Sequence, residues 1–88
     1  MSLLSKLFGK TAPEAPEPVS HQGFLIFPMS QKDGSHFRLG ARIEKEINGE
    51  LKTHDMIRAD TFNTVDAAND EAVRKAKVFI DQMGERIF

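Results

Sequence analysis

Cysteine is absent from this chain, so neither a disulfide nor a thiolate metal site can hold its fold together. An excess of one charge is missing too: twelve basic side chains face thirteen acidic ones, for a net charge of -1. That balance argues against a dedicated DNA clamp, whose domain is ordinarily clearly basic. No apolar run approaches the ~20 residues of a membrane-spanning helix. The opening "MSLLSKLFGK" is too short and too interrupted for a signal peptide, and Ser2 stands where a myristoylation motif needs glycine. A cytoplasmic protein is expected.

The usual catalytic vocabulary is also scarce. His21, His36 and His54 are scattered, with no HxH or HExxH spacing to hold a metal. There is no G-x-S-x-G elbow for a nucleophilic serine. Gly34, Gly40 and Gly49 read as turn and strand glycines rather than as a phosphate-binding loop. Neither catalytic residues nor a metal or cofactor are expected, and the chain does not read as an enzyme.

What remains is one small domain with an unusual start. A chain of 88 residues buries only ~60% of its unfolded surface or slightly more. Its 40% apolar and 28% charged content still fits a folded protein. Three parts follow one another. In residues 1–9, Leu3, Leu4, Leu7 and Phe8 recur at helical spacing against Ser2, Ser5 and Lys6. Residues 10–20, "KTAPEAPEPVS", carry Pro13, Pro16 and Pro18 between glutamates and read as an extended linker. Residues 21–88 are the folded body.

Within the body, "GFLIFPM" is a short apolar strand with Pro28 near its end, and "QKDGS" turns the chain. From His36 to Ile47 the residues alternate, with Phe37, Leu39, Ala41 and Ile43 on one side against Arg38, Arg42, Glu44 and Glu46. That period of two marks a half-buried strand. Asn48-Gly49 is a strong hairpin signal, and a third strand over residues 50–58 returns from it. After the loop "ADTFN", a helix runs over residues 64–83, capped by Asn63 or Thr64 and ended by Gly84. Its apolar stripe is Val65, Ala68, Ala72, Ala76, Phe79 or Ile80, and Met83, continued by Ile87. Glu71–Lys75 and Asp70–Arg74 are spaced for ion pairs. The expected fold is α+β: a three-stranded antiparallel sheet (β-β-β-α) with one long C-terminal helix on one face, behind an amphipathic N-terminal segment and a Pro-rich linker.

The charged stretch "NGELKTHDMIRAD" admits two registers. A two-residue turn at Asn48-Gly49 sets Arg42 opposite Asp55 and Ile43 opposite His54. A bulged three-residue loop sets Arg42 opposite His54, Glu44 opposite Lys52, and Arg38 opposite Arg58. Gly40 could host a further bulge that mixes the two. His54 and Asp55 leave opposite faces of their strand, so they cannot form a catalytic dyad. The charges read either as a solvated sheet face or as a stripe of Arg38, Arg42, Lys45, Lys52 and Arg58 that meets phosphates.

The first strand is oily on both sides, with Phe24 and Ile26 on one face and Leu25, Phe27 and Met29 on the other. A lone helix covers only one face of a sheet, so something further is expected over the second. The candidates are Leu3, Leu4, Leu7 and Phe8 folding back, a second copy of the chain, a partner protein, or the "ADTFN" loop with Ile87 and Phe88. The eleven-residue linker reaches ~34 Å, ample for the first of these. With Lys6 and Lys10, the N-terminal segment also suits an anionic membrane surface or a partner groove.

The runs "GFLIFP", "RLGARIEK", "NGELKTHDMIRAD" and "AVRKAKVFIDQMGERIF" resemble the small bacterial family of HlyU-type transcriptional activators, over roughly residues 21–88. The most specific match is His54, Ile57, Arg58, Ala59 and Asp60; Met56 stands where an aromatic is expected. The resemblance implies a regulatory, DNA-linked role. Arg38, Arg42, Lys45, Lys52, His54 and Arg58 are the candidate contacts to DNA or to a regulatory protein. With one long helix and no helix-turn-helix pair, the chain cannot present a recognition helix in that way. The alternative is an adaptor that docks on a protein or membrane surface through its apolar N-terminal segment.

Overall fold

The structure is a computed structural model and describes residues 17–88. Five strands precede one helix: β1 Val19–His21, β2 Phe24–Pro28, β3 Gln31–Asp33, β4 His36–Ile47, β5 Glu50–Phe62 and α1 Val65–Met83. A 3-10 turn over Gly84–Ile87 follows. All pairings are antiparallel. β2 and β3 share one edge of β4, β5 takes the other, and β1 lies outside β2.

The class is the expected α+β with a C-terminal helix, but the sheet has five strands instead of three. Two local features account for the difference. Gln22 and Gly23 both take positive φ (52° and 85°), as do Asn48 and Gly49 (53° and 80°). Each pair closes a two-residue hairpin of the I′ kind. Val19 and Ser20, at the end of the stretch with linker composition, therefore pair back onto β2. The second feature is a break at Met29-Ser30. After it the chain resumes on the same edge of β4 as β3, so "QKD" is strand rather than turn. The true turn is Gly34-Ser35, with the glycine at φ 67°.

The break is stitched by hydrogen bonds. Met29 N donates to Gly40 O (2.8 Å), Gly40 N donates to Ser30 Oγ (3.3 Å), and Ser30 N donates to Asn69 Oδ1 of α1 (3.1 Å). Of the two hairpin registers, the two-residue one is adopted: Arg42 faces Asp55 and Ile43 faces His54. Beyond Gly40 the ladder slips. Gly40 pairs with Ile57 and Arg38 with Thr61, so Arg58, Ala59 and Asp60 together oppose Leu39. The two-residue register itself keeps Arg58 from standing opposite Arg38, and the slip moves Arg38 on to Thr61. The slip also carries β5 through Phe62, which faces Phe37 and packs on the core, so most of "ADTFN" is strand and not loop.

Ile26, Leu39, Ile43 and Met56 are fully buried beneath α1. Burial of side chains of this size contributes ~1.5–3 kcal/mol each. The helix meets them with Ala68, Ala72, Ala76 and Ile80, one residue every four, and the three alanines let its backbone lie close to the sheet. Val65 stays exposed, because the stripe starts a turn later than its spacing suggests. Thr64 caps the helix by accepting from Ala67 N at 3.1 Å. The predicted i,i+4 ion pairs do not form. Arg74 Nε instead donates to both carboxylate oxygens of Glu71 (3.0 and 3.1 Å), and Lys75 reaches Asp60 on β5 (3.4 Å).

The C-terminal residues stay on the helix side. Ile87 joins the core and the Phe88 ring stacks on Phe24 at 6.0 Å. They do not cover Leu25, Phe27 and Met29, and neither does "ADTFN". Among the described residues the second face is open: Leu25 is 41% and Met29 49% exposed. The thinnest dimension, 15 Å, is that of one sheet and one helix.

Candidate functional site

Alternation along the strands sorts the candidate residues onto two faces. Arg38 and Arg42 lie on the open face, beside Leu25, Phe27, Met29 and Ile57. Lys45, Lys52, His54 and Arg58 lie on the helix side. The stripe is therefore split by the sheet itself. The N-terminal candidates Leu3, Leu4, Leu7 and Phe8 fall outside the described residues.

On the open face each arginine has a carboxylate. Arg38 Nη2 donates to Asp33 Oδ2 and Arg42 Nε donates to Asp55 Oδ1, both at 3.0 Å. The hydrogen bond that Arg42 donates to Asp55, aided by the carboxylate's charge, holds the Arg42 guanidinium above the usual arginine range. Gly40 contributes no side chain, and a cleft of about 150 Å³ opens over it. Met29, Gln31, Arg38, Arg42, Asp55 and Ile57 form its walls. Small-molecule sites span ~300–1,000 Å³, so this cleft suits a single inserted side chain.

On the helix side the basic groups are anchored differently. Lys45 Nζ lies 4.6 Å from the centre of the Phe24 ring and 2.9 Å from Glu85 Oε2. Lys52 pairs with Glu50 at 3.4 Å. His54 and Arg58 both contact Phe79 of α1, with the His54 ring 5.5 Å and the guanidinium carbon 5.8 Å from the ring centre. Phe79 arrives from another element, so no pattern local to the strand places an aromatic beside His54 and Arg58. A second cleft, of about 250 Å³, gathers Arg58, Arg74 and Lys75 around Phe79. Arg74 and Lys75 are committed to Glu71 and Asp60, while Arg58 makes no ion pair among the described residues.

His21 has a structural task. Its Nε2 lies 2.8 Å from Asp81 Oδ1, which also accepts from Gln22 Nε2 at 3.0 Å, so the helix clamps the β1–β2 turn. Among the described residues no three histidines or carboxylates cluster as metal ligands, and no helix is long and apolar enough to cross a membrane.

Neither a curated protein nor a solved structure matches the chain. A family model described as "Transcriptional activator HlyU" matches residues 2–88, which takes in both faces and the N-terminal segment. The chain belongs to the HlyU family of transcriptional activators.

Proposed function

We propose that this protein is a non-enzymatic transcriptional regulator that acts by docking its open sheet face on a regulatory protein. The observation that carries this reading is the company the arginines keep. Arg38 and Arg42 are each neutralised by a neighbouring aspartate and stand among exposed Leu25, Met29 and Ile57. Mixed apolar and arginine surfaces are characteristic of protein interfaces, where arginine is enriched. A phosphate-binding surface instead needs uncompensated positive charge. The test is capture of the purified transcription machinery by the full chain, compared with Leu25→Glu and Ile57→Glu. Loss of capture in both variants, with unchanged melting, supports the reading; undiminished capture removes it.

A second reading is direct contact with DNA phosphates on the other flank. Arg58, beside Phe79 and without an ion pair among the described residues, is the observation that favours it. Duplex binding across a salt series separates the two: a steep salt dependence that flattens by about one in Arg58→Ala supports phosphate contact there. The adaptor alternative, in which Leu3, Leu4, Leu7 and Phe8 hold the protein to a partner or an anionic membrane surface, is tested by vesicle co-sedimentation of the full chain and its Leu4→Glu variant.

A further inference from the structure

We propose that the outer edge of β5 pairs with the same edge of a second copy of this chain, antiparallel about a two-fold axis at His54. Among the described residues β5 pairs only with β4, so thirteen residues of strand carry a free edge. Long apolar edges recruit further strands unless they are blocked by charge, proline or a bulge. Here the slip at residues 58–60 and the charges of Glu50, Lys52, Asp55 and Arg58 restrict pairing to a strand that matches them, while Leu51 and Ile57, at 60% and 62%, are the most exposed large apolar residues described.

The register follows from the ladder. Ile47 and Glu50 flank a two-residue turn, which makes them a hydrogen-bonded pair. By alternation Glu50, Lys52, His54 and Met56 direct their backbone groups at β4, and Leu51, Thr53, Asp55 and Ile57 direct theirs outward. A symmetric antiparallel pairing must therefore match odd with odd. Centred on Thr53, it would set Leu51 against Asp55. Centred on Asp55, it would set Lys52 against Arg58 and Glu50 against Asp60, joining like charges. Centred on His54, it sets Leu51 against Ile57 on the open face and Glu50 against Arg58 on the helix side, each twice by symmetry. Of these three registers, only this one matches both apolar and charged partners. The second copy is thus favoured by charge complementarity over a foreign strand. Its pairing would continue the open face across both molecules, and it does not depend on what that face docks.

Sedimentation equilibrium of the full chain over a micromolar to millimolar series tests the proposal. A mass rising from 9.9 kDa to twice that value is expected. Thr53→Pro removes an outward donor without taking one from β4, and should leave a monomer whose melting in dilute solution is unchanged. Glu50→Arg should weaken dimerisation about tenfold, and Glu50→Arg with Arg58→Glu should restore it. A native chain that stays monomeric throughout overturns the proposal and leaves the edge to the N-terminal segment or a foreign strand. A dimer indifferent to Thr53→Pro overturns it in favour of another surface. A dimer that Thr53→Pro dissolves but the charge exchange does not rescue overturns the register. None of these results bears on capture through Leu25 and Ile57, which is measured at dilutions where the chain is monomeric.

Discussion

Arg42 and Asp55 stand directly opposite each other on β4 and β5, and the guanidinium Nε donates to the carboxylate at 3.0 Å. The pair occupies Arg42 within its own sheet, so this arginine has little attraction left for a phosphate. Asp55→Asn removes that competition while keeping the shape. The variant should bind duplex DNA more tightly than the native chain at low salt, with a log–log salt slope steeper by about one. An unchanged slope in filter-binding or fluorescence titration would show that Arg42 does not reach phosphates even when released.

Gly40 sits where the backbone of Met29 comes close. A Cβ there would lie 3.0 Å from the carbonyl oxygen of Met29, a backbone atom that cannot rotate away. The same residue bonds Met29 and Ser30 and marks the slip against β5. Gly40→Ala should therefore destabilise the fold by about 1–3 kcal/mol, the cost of overpacking. For a domain of this size each kcal/mol lowers Tm by roughly 4–8 °C, which calorimetry resolves.

The alanine stripe of α1 predicts a contrast along one helix. Ala72 has no exposed surface and faces the core, whereas Val65 lies outside the stripe. Ala72→Leu should cost about 1–3 kcal/mol by pushing the helix off the sheet. Val65→Ala should stay within about 0.5 kcal/mol. Urea midpoints measure both, and equal effects would contradict the packing described for α1.

Acid should weaken the Glu71–Arg74 pair in a defined direction. The hydrogen bond from Arg74, with its charge and that of Lys75, lowers the Glu71 carboxyl below its ordinary range. A lowered folded-state value means the stabilisation is present above the unfolded value and is lost as pH falls through the folded one. The difference in urea midpoint between the native chain and Glu71→Gln should hold constant near neutrality and shrink in acid. A difference that grows in acid would contradict the pairing.

Much of the fold is legible in the residues. Period-two alternation marks β4, Asn48-Gly49 marks its hairpin, and Thr64 and Gly84 bracket the helix. β1 is hidden because Gln22 is an uncommon residue for positive φ, so its turn carries half the usual signal. The break at Met29-Ser30 depends on Asn69, thirty-nine positions away, which no local pattern reveals. The site is harder still. That Arg38 and Arg42 share a face follows from alternation, but the neutralisation of Arg42 by Asp55 depends on a register that the composition leaves open. The approach of Phe79 to Arg58 depends on where the helix crosses the strands.

A surface whose cations are cancelled within a few ångströms casts almost no field beyond the Debye length of ~8 Å. On the proposed reading, partners approaching the open face would be unguided, and complexes would form at the ~10⁵–10⁶ M⁻¹s⁻¹ of ordinary diffusional docking. Regulation through Arg38 and Arg42 would rest on residence time, set by how slowly the apolar contacts and reseated guanidinium groups let go.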